Sequence, residues 1–285
     1  MTFTTRFAPS PTGYLHKGHA FSALMAYEAA RAVDGRFILR IEDIDTTRVR
    51  PEFDAAILED LAWLGLRWEE PVRRQSQHMS DYQAALDELR EAGLLYRCFR
   101  TRREVLDEIG RAPHGPGEGP QGQVFRGAPL PADEEERRLE AGEAFAWRLS
   151  LDAAARWLGE GGWTGLVFQE EGRGPIQARP ERLGDVVLAR KDVGVAYHLA
   201  VVVDDALQGV DHVIRGEDLL EAAHIQRLLQ ALLGLPSPAY RHHRLLTAAD
   251  GQRLAKRDKA ETLRDLRARG VTADQLRAEL GFPRA

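Results

Sequence analysis

The sequence predicts an α/β fold: a parallel sheet with flanking helices, interrupted by an inserted subdomain and followed by a short helical tail. Three observations predict it. Near the N-terminus a β-branched and aromatic stretch, a helical pattern and a second apolar strand follow one another within about 40 residues, the shape of a βαβ crossover. Strand and helix patterns of the same kind resume near residue 185. Between them lies a long region of short strand-like pieces and a Gly/Pro-rich segment. The chain has 285 residues and is 44% hydrophobic, enough for a sizeable core and about two domains.

The elements follow in order. Thr2 to Ala8 reads as a strand stopped by Pro9. A helix runs from about Gly18 to Ala32, with Ala20, Leu24, Tyr27 and Ala30 at helical spacing, and Phe37 to Ile41 is the second strand. Pro51 opens another helix whose apolar face is Phe53, Ile57, Leu58, Leu61 and Leu64. Ser80 and Gln83 have capping-box spacing before a helix that ends at Gly93. Residues 110–132 read as an irregular loop, and the acidic run Asp133 to Glu136 opens a short helix. FAWRLSL and GLVF are strand-like. From Asp185 come DVVLARKD, a turn at Val193 and Gly194, and VAYHLAVVVDD, whose near-continuous apolar character predicts a strand covered on both faces. After IRGED, Asp218 is expected to cap an apolar helix running through Leu233. A polar loop, GQRLAKRDKAE, precedes two short helices, the second with a Thr272–Gln275 capping box. There is no internal repeat. The expected division is 1–95 and 184–245 for the two halves of the main domain, 96–183 for the insertion, and 246–285 for the basic loop and tail.

Composition narrows the class. No apolar run reaches the ~18 residues of a membrane span, so no membrane partner is expected. The N-terminal segment lacks the basic start and apolar stretch of a secretory signal. Cys98 stands alone, so a disulfide framework is impossible and a cytoplasmic address is expected. The net charge is −5, so any nucleic-acid-binding surface has to be local.

Three segments carry candidate chemistry. In PSPTGYLHKGH, Pro11 and Gly13 turn the chain between a strand and a helix whose positive end faces the turn. His16 and His19 lie on one helical face and suit a phosphate whose charge grows in a transition state. A metal site is a competing idea, but no third ligand sits at a tell-tale spacing; by residue type alone a capped helix with surface histidines is the commoner reading. The second segment is Arg253-Leu254-Ala255-Lys256-Arg257, a basic loop able to close over a polyphosphate, or simply a solvated basic stretch. The third set is Arg6, Ser10, Glu42, Tyr197 and Arg215, each at or just after an expected strand. Arg6 and Arg215 could fork onto carboxylates and Glu42 could hold an ammonium, which together suit a dicarboxylic amino acid. Ordinary ion pairs among Arg40, Glu42, Asp43, Asp45 and Arg48 are the plainer alternative.

RFAPSPTGYLHKGHA, RIEDID, AYHLAVVVDD, VIRGED and RLAKR, taken in order over some 250 residues, resemble the class I glutamyl-tRNA synthetase family. HKGH at His16 to His19 looks like its His-Ile-Gly-His signature, and Arg253 to Arg257 look like its Lys-Met-Ser-Lys-Ser signature. The resemblance implies a Rossmann-type parallel sheet with an inserted connective subdomain. It implies a glutamate pocket of Arg6, Ala8, Ser10, Glu42, Tyr197 and Arg215. It implies ATP contacts at His16, Gly18, His19, Arg253, Leu254, Lys256 and Arg257, with His16, His19 and Lys256 catalytic and Mg²⁺ accompanying ATP. Only 28 residues follow Arg257, where a full glutamyl-tRNA synthetase carries an anticodon-binding region. This layout resembles the glutamyl-queuosine branch of the family. That branch implies a ligase that activates L-glutamate with ATP without tRNA and places it on queuosine at the wobble position of tRNA(Asp). A monomer is expected.

Two departures stand out. The family's zinc knuckle uses a Cys-x-Cys pair; here YRCFR has Cys98 and Arg100, no further Cys follows, and His114 cannot rebuild a four-ligand site, so no structural zinc is expected. Ala255 replaces a usual Ser and Arg253 a usual Lys, at a cost of about 1 kcal/mol for one hydroxyl contact. Lys17 sits where the family has an apolar residue, and the sequence offers no account of it. The rival readings are a glutamyl-tRNA synthetase catalytic fragment acting on a tRNA 3′ end, a non-catalytic tRNA-binding paralogue, and a small-molecule nucleotidyltransferase.

Overall fold

A computed structural model of the chain describes residues 3–101, 103–105, 124–190, 194–246 and 261–283. The elements are β1 (Thr4–Phe7), α1 (Lys17–Ala32), β2 (Arg36–Ile41), α2 (Pro51–Trp63), β3 (Glu69–Arg74), α3 (Met79–Glu91) and β4 (Leu95–Cys98). Then come α4 (Ala132–Glu140), β5 (Ala146–Leu149), α5 (Leu151–Thr164), β6 (Val167–Glu170), β7 (Gly174–Gln177), β8 (Val187–Arg190) and β9 (Gly194–Val195). The chain continues through α6 (Tyr197–Leu207), β10 (His212–Gly216), α7 (Leu220–Leu232), β11 (Ala239–His243), α8 (Leu263–Ala268) and α9 (Ala273–Glu279).

The predicted α/β class holds. β1, β2 and β3 form one parallel sheet. β10, β11 and β6 run parallel in another, with β7 antiparallel at its edge. The two sheets meet along β1 and β10: Asp211 donates its backbone N–H to the Thr4 carbonyl, and Thr4 returns its N–H to the Asp211 carboxylate. Successive connections leave this seam in opposite directions, so it is the switch point beyond whose strand ends α/β proteins bind ligands. A separate antiparallel sheet has the order β4-β5-β8-β9. No helix among the described residues is long and apolar enough to cross a membrane.

Two cores support the seam. One gathers Leu199, Val201 and Val202 of α6 with Leu228 of α7 and Tyr82 of α3. The other packs Leu24 of α1 against Leu39, Ile57 and Leu61, and draws in Leu263, Leu266 and Leu276 from the tail. The tail is therefore part of the main body, and it accounts for Lys17, whose ammonium pairs with Glu279 of α9.

Three expectations fail for physical reasons. VAYHLAVVVDD is helix α6, not a strand: an apolar run cannot tell a helix buried all round from a strand covered on both faces, and an 11-residue span favours the helix. α3 starts at Met79 with His78 at its N-cap and no side-chain cap bond, so Ser80 and Gln83 lie inside the first turns; Gln83 instead donates to Asp87. Asp218 does not cap α7, which begins at Leu220 after a 3₁₀ turn over Glu217–Leu219. The Gly/Pro-rich segment is described only from residue 124, and the basic loop 253–257 lies outside the described residues.

Candidate active site

β1 and β10 end at one cavity of about 530 Å³. Its lining includes Arg6, Ala8, Ser10, Glu42, Tyr197 and Arg215 together with His16, Gly18 and His19. The structure thus brings together every expected site residue that it describes. Arg253, Leu254, Lys256 and Arg257 lie outside the described residues. A hollow of about 580 Å³ between α2 and the tail contains none of the expected residues and opens widely to solvent.

The two histidines cap α1 reciprocally. His16 is the N-cap, and its Nδ1 accepts the Gly18 N–H at 3.1 Å; the Nδ1 of His19 accepts the His16 N–H at 3.2 Å. The rings lie 3.8 Å apart between centroids. Since both Nδ1 atoms accept, each neutral ring carries its proton on Nε2. The Gly18 N–H, one of the first donors of α1, is thus taken by the His16 ring. The ring of His16 folds back so closely that a Cβ on residue 18 would lie 2.9 Å from its Cε1. Any Cβ there would push the His16 ring out of its cap. The tail supports this end: Leu263 donates its N–H to the Leu15 carbonyl, and Thr262 forms an isolated antiparallel bridge with His16.

Arg6 and Glu42 rest on a buried charge network. Arg6 donates through Nε to Asp205 at 3.1 Å, and Arg40, fully buried, reaches Asp205 at 2.8 Å and Glu42 at 3.3 Å. Asp204 accepts from Arg73, Gln75 and Tyr82. Asp204, Asp205 and Glu42 thereby balance Arg6, Arg40 and Arg73, the condition for keeping so many charges out of water. Burial pushes the Glu42 carboxyl up, against the pull of Arg40 and Arg6. Burial also acts upward on Asp205, but there Arg6 and Arg40 win and hold it below the usual carboxylate range. The plainer reading of the sequence was correct in part: Arg40–Glu42 and Arg48–Asp45 are ion pairs, yet Glu42 also lines the cavity. Asp204 and Asp205 were missed as site residues. Their signal was present in the sequence, since two acids ending an apolar run need buried partners.

Arg215 is held differently. Its Nε donates to His242 at 3.0 Å, its Nη2 to the Leu219 carbonyl at 3.1 Å, and its Nη1 approaches the Tyr197 hydroxyl at 3.4 Å. Beyond Ser10, Glu42 and Tyr197 lies a second cavity of about 470 Å³, reached by Asp45, Arg48 and Arg190. Cys98 is buried and packs with Tyr96, Val105 and Phe125. His114 lies outside the described residues.

The sequence profile of the tRNA synthetases class I (E and Q), catalytic domain, matches residues 2–280. The chain is similar to a glutamyl-Q tRNA(Asp) synthetase of Rhodobacter capsulatus, 47% identical over 288 aligned residues, covering 98% of this chain and 99% of the relative. It is also similar to a glutamate–tRNA ligase 2 of Cereibacter sphaeroides, 42% identical, covering 95% of this chain and 58% of the relative. Among solved structures it resembles a glutamate tRNA ligase from Elizabethkingia meningosepticum in complex with its amino acid, with a TM-score of 0.72 and 29% identity. That match covers 90% of this chain and 52% of the other, so the chain spans about half the length of that ligase.

Proposed function

The chain belongs to the class I tRNA synthetases of the E and Q group, and from that membership we propose that it is a ligase charging queuosine of tRNA(Asp) with L-glutamate. The observation that carries this reading is the cavity itself, which two guanidinium groups and two imidazoles line together.

In the first step an α-carboxylate oxygen of glutamate attacks the α-phosphorus of ATP. A new O–P bond forms, the bond to the β-phosphate oxygen breaks, and pyrophosphate leaves with the electron pair. Mg²⁺ enters with the nucleotide as part of the substrate. The protein supplies no nucleophile. Arg6 and Arg215 hold the carboxylates and Glu42 takes the ammonium, with Ser10 lining the same cavity. His16 and His19 donate from Nε2 to phosphate oxygens as charge builds on them, and Lys256 joins them from the basic loop. In the second step a hydroxyl of the queuosine ring attacks the mixed anhydride, the acyl–oxygen bond to AMP breaks, and AMP leaves, its phosphate taking up the hydroxyl proton. The second cavity, sharing Ser10, Glu42 and Tyr197 with the first, is the route by which that acceptor reaches the anhydride.

Glutamate-dependent pyrophosphate exchange without tRNA is the direct test. We expect it in the parent and expect His16→Ala and Lys256→Ala to lose about 100-fold or more in kcat, the scale for a transition-state donor. Labelled glutamate should then pass to tRNA(Asp) bearing queuosine and not to the same tRNA without it. The 42% identity to a glutamate–tRNA ligase supports a second reading, charging at a tRNA 3′ end. Exchange that requires tRNA, with charging independent of queuosine, would select it.

A further inference from the structure

Behind Arg215 lies a buried chain of side chains that the reaction above does not use. The imidazole of His242 (0% exposed) and the carboxylate of Glu170 (2% exposed) are sealed from water. Arg215 Nε donates to His242 Nε2 at 3.0 Å. On the far side His242 Nδ1 meets a Glu170 oxygen at 2.7 Å, and the other Glu170 oxygen accepts the His242 backbone N–H at 2.9 Å. A guanidinium is only ever a donor. His242 Nε2 must therefore offer a lone pair, and the ring's single proton sits on Nδ1 and is donated to Glu170. Burial pushes His242 down to about 3, which keeps the ring neutral. Tyr240 stacks parallel to that ring, 5.7 Å away, and also lies under the Arg215 guanidinium at 5.2 Å.

The contrast with Arg6 gives the chain a purpose. Arg6 contacts the carboxylate of Asp205 directly, whereas the three groups that Arg215 donates to are all uncharged. A carboxylate in direct contact offsets part of a cation's charge, as Asp205 does at Arg6. A neutral imidazole fixes the guanidinium by an ordinary hydrogen bond and keeps the counter-charge one ring further back. We propose that Glu170 and His242 are positioning residues that preset the Arg215 fork for an anionic side chain and leave its charge available. This rests on the reading that Arg215 binds a glutamate carboxylate. Glu170 belongs to β6, in the region expected to be inserted, and β6 reaches the site by pairing with β11 at Tyr240. That region therefore does not line the cavity but supports Arg215 from behind, through His242.

The test compares Glu170→Gln, His242→Phe, His242→Gln and Arg215→Ala in tRNA-independent pyrophosphate exchange, reading KM for glutamate, KM for ATP, kcat and thermal melting. Glu170→Gln is nearly isosteric, but an amide has one oxygen where two donors must be met. Either its NH₂ opposes the His242 backbone N–H, or the ring flips tautomer and sets Nε2–H against the Arg215 N–H. We expect glutamate KM to rise roughly tenfold, the scale of one charge-assisted hydrogen bond, with kcat and ATP KM within about twofold. His242→Phe should do at least as much. His242→Gln, whose side-chain oxygen can stand near Nε2, should recover most of the loss. A parental glutamate KM in Glu170→Gln, or equal impairment in His242→Gln and His242→Phe, overturns the proposal in favour of plain packing. If Arg215→Ala itself keeps the parental glutamate KM, the pocket reading fails and the chain's role fails with it. Should His242→Phe melt too low to assay, Glu170→Gln decides alone.

Discussion

His16 shows how much one residue can carry. It caps α1, its Nδ1 is occupied by the Gly18 N–H, and the proposed mechanism uses its other ring nitrogen as the phosphate donor. Gly18 is required by that geometry and not by helix formation. Alanine is the better helix former by up to about 1 kcal/mol, yet its Cβ would lie 2.9 Å from the His16 ring. Gly18→Ala should therefore leave the melting temperature little changed, the alanine gain offsetting the lost cap, while kcat for exchange falls about tenfold or more as His16 leaves its cap. An active Gly18→Ala enzyme would mean that the His16 position is not used in the chemistry. The histidines were legible in the sequence, but their tautomer was not. It depends on which backbone N–H each ring meets, and that is settled only when the helix start is built.

At the scale of elements, the strands around the seam and the helices with clear apolar periodicity were read correctly because their patterns are local. α6 was misread because its pattern has no polar face: Leu199 to Asp205 are buried throughout. A helix packed on every side loses the periodic signature by which helices are recognised. Asp204 and Asp205 end that run with their charges matched to arginines more than a hundred residues away in some pairs, a pairing no local rule contains. The tail illustrates the reverse case. Its Thr272–Gln275 box was legible and is present, while a second box at Thr262 and Asp265 sets α8 under the first signature. Thr262→Ala should cost about 1 kcal/mol, the usual worth of an N-cap, seen as a lower urea midpoint with unchanged slope.

Over the whole molecule, buried ionisable groups make stability depend on pH. Burial holds His224 at about 4 and His242 at about 3, so both are neutral when folded. The unfolded chain binds protons at these sites near pH 6.5, and the folded one does not. Stability is complete above that value and falls as the pH drops toward 4, by up to about 1.4 kcal/mol per pH unit for each histidine. Burial also raises Glu42 and Glu170, which take up protons earlier when folded and soften the lower end of the decline. Melting followed by circular dichroism should drop clearly between pH 7 and pH 5. His242→Gln should show a shallower slope, and a flat profile in the parent would contradict the neutral state of these rings. By itself the sequence determined the α/β class, the capped helix behind the turn, and the identity of the residues that meet in the cavity. Those depend on local periodicity, on turn chemistry and on side-chain types in order along the chain. Only the tertiary structure decided that an apolar run is a helix, that Arg40 and Asp205 anchor Arg6, that a sealed histidine stands between Arg215 and Glu170, and that Lys17 answers Glu279. The physical reason is the same in each case: a buried charge or a fully covered helix is specified by its distant partners, and those partners are neighbours only after folding.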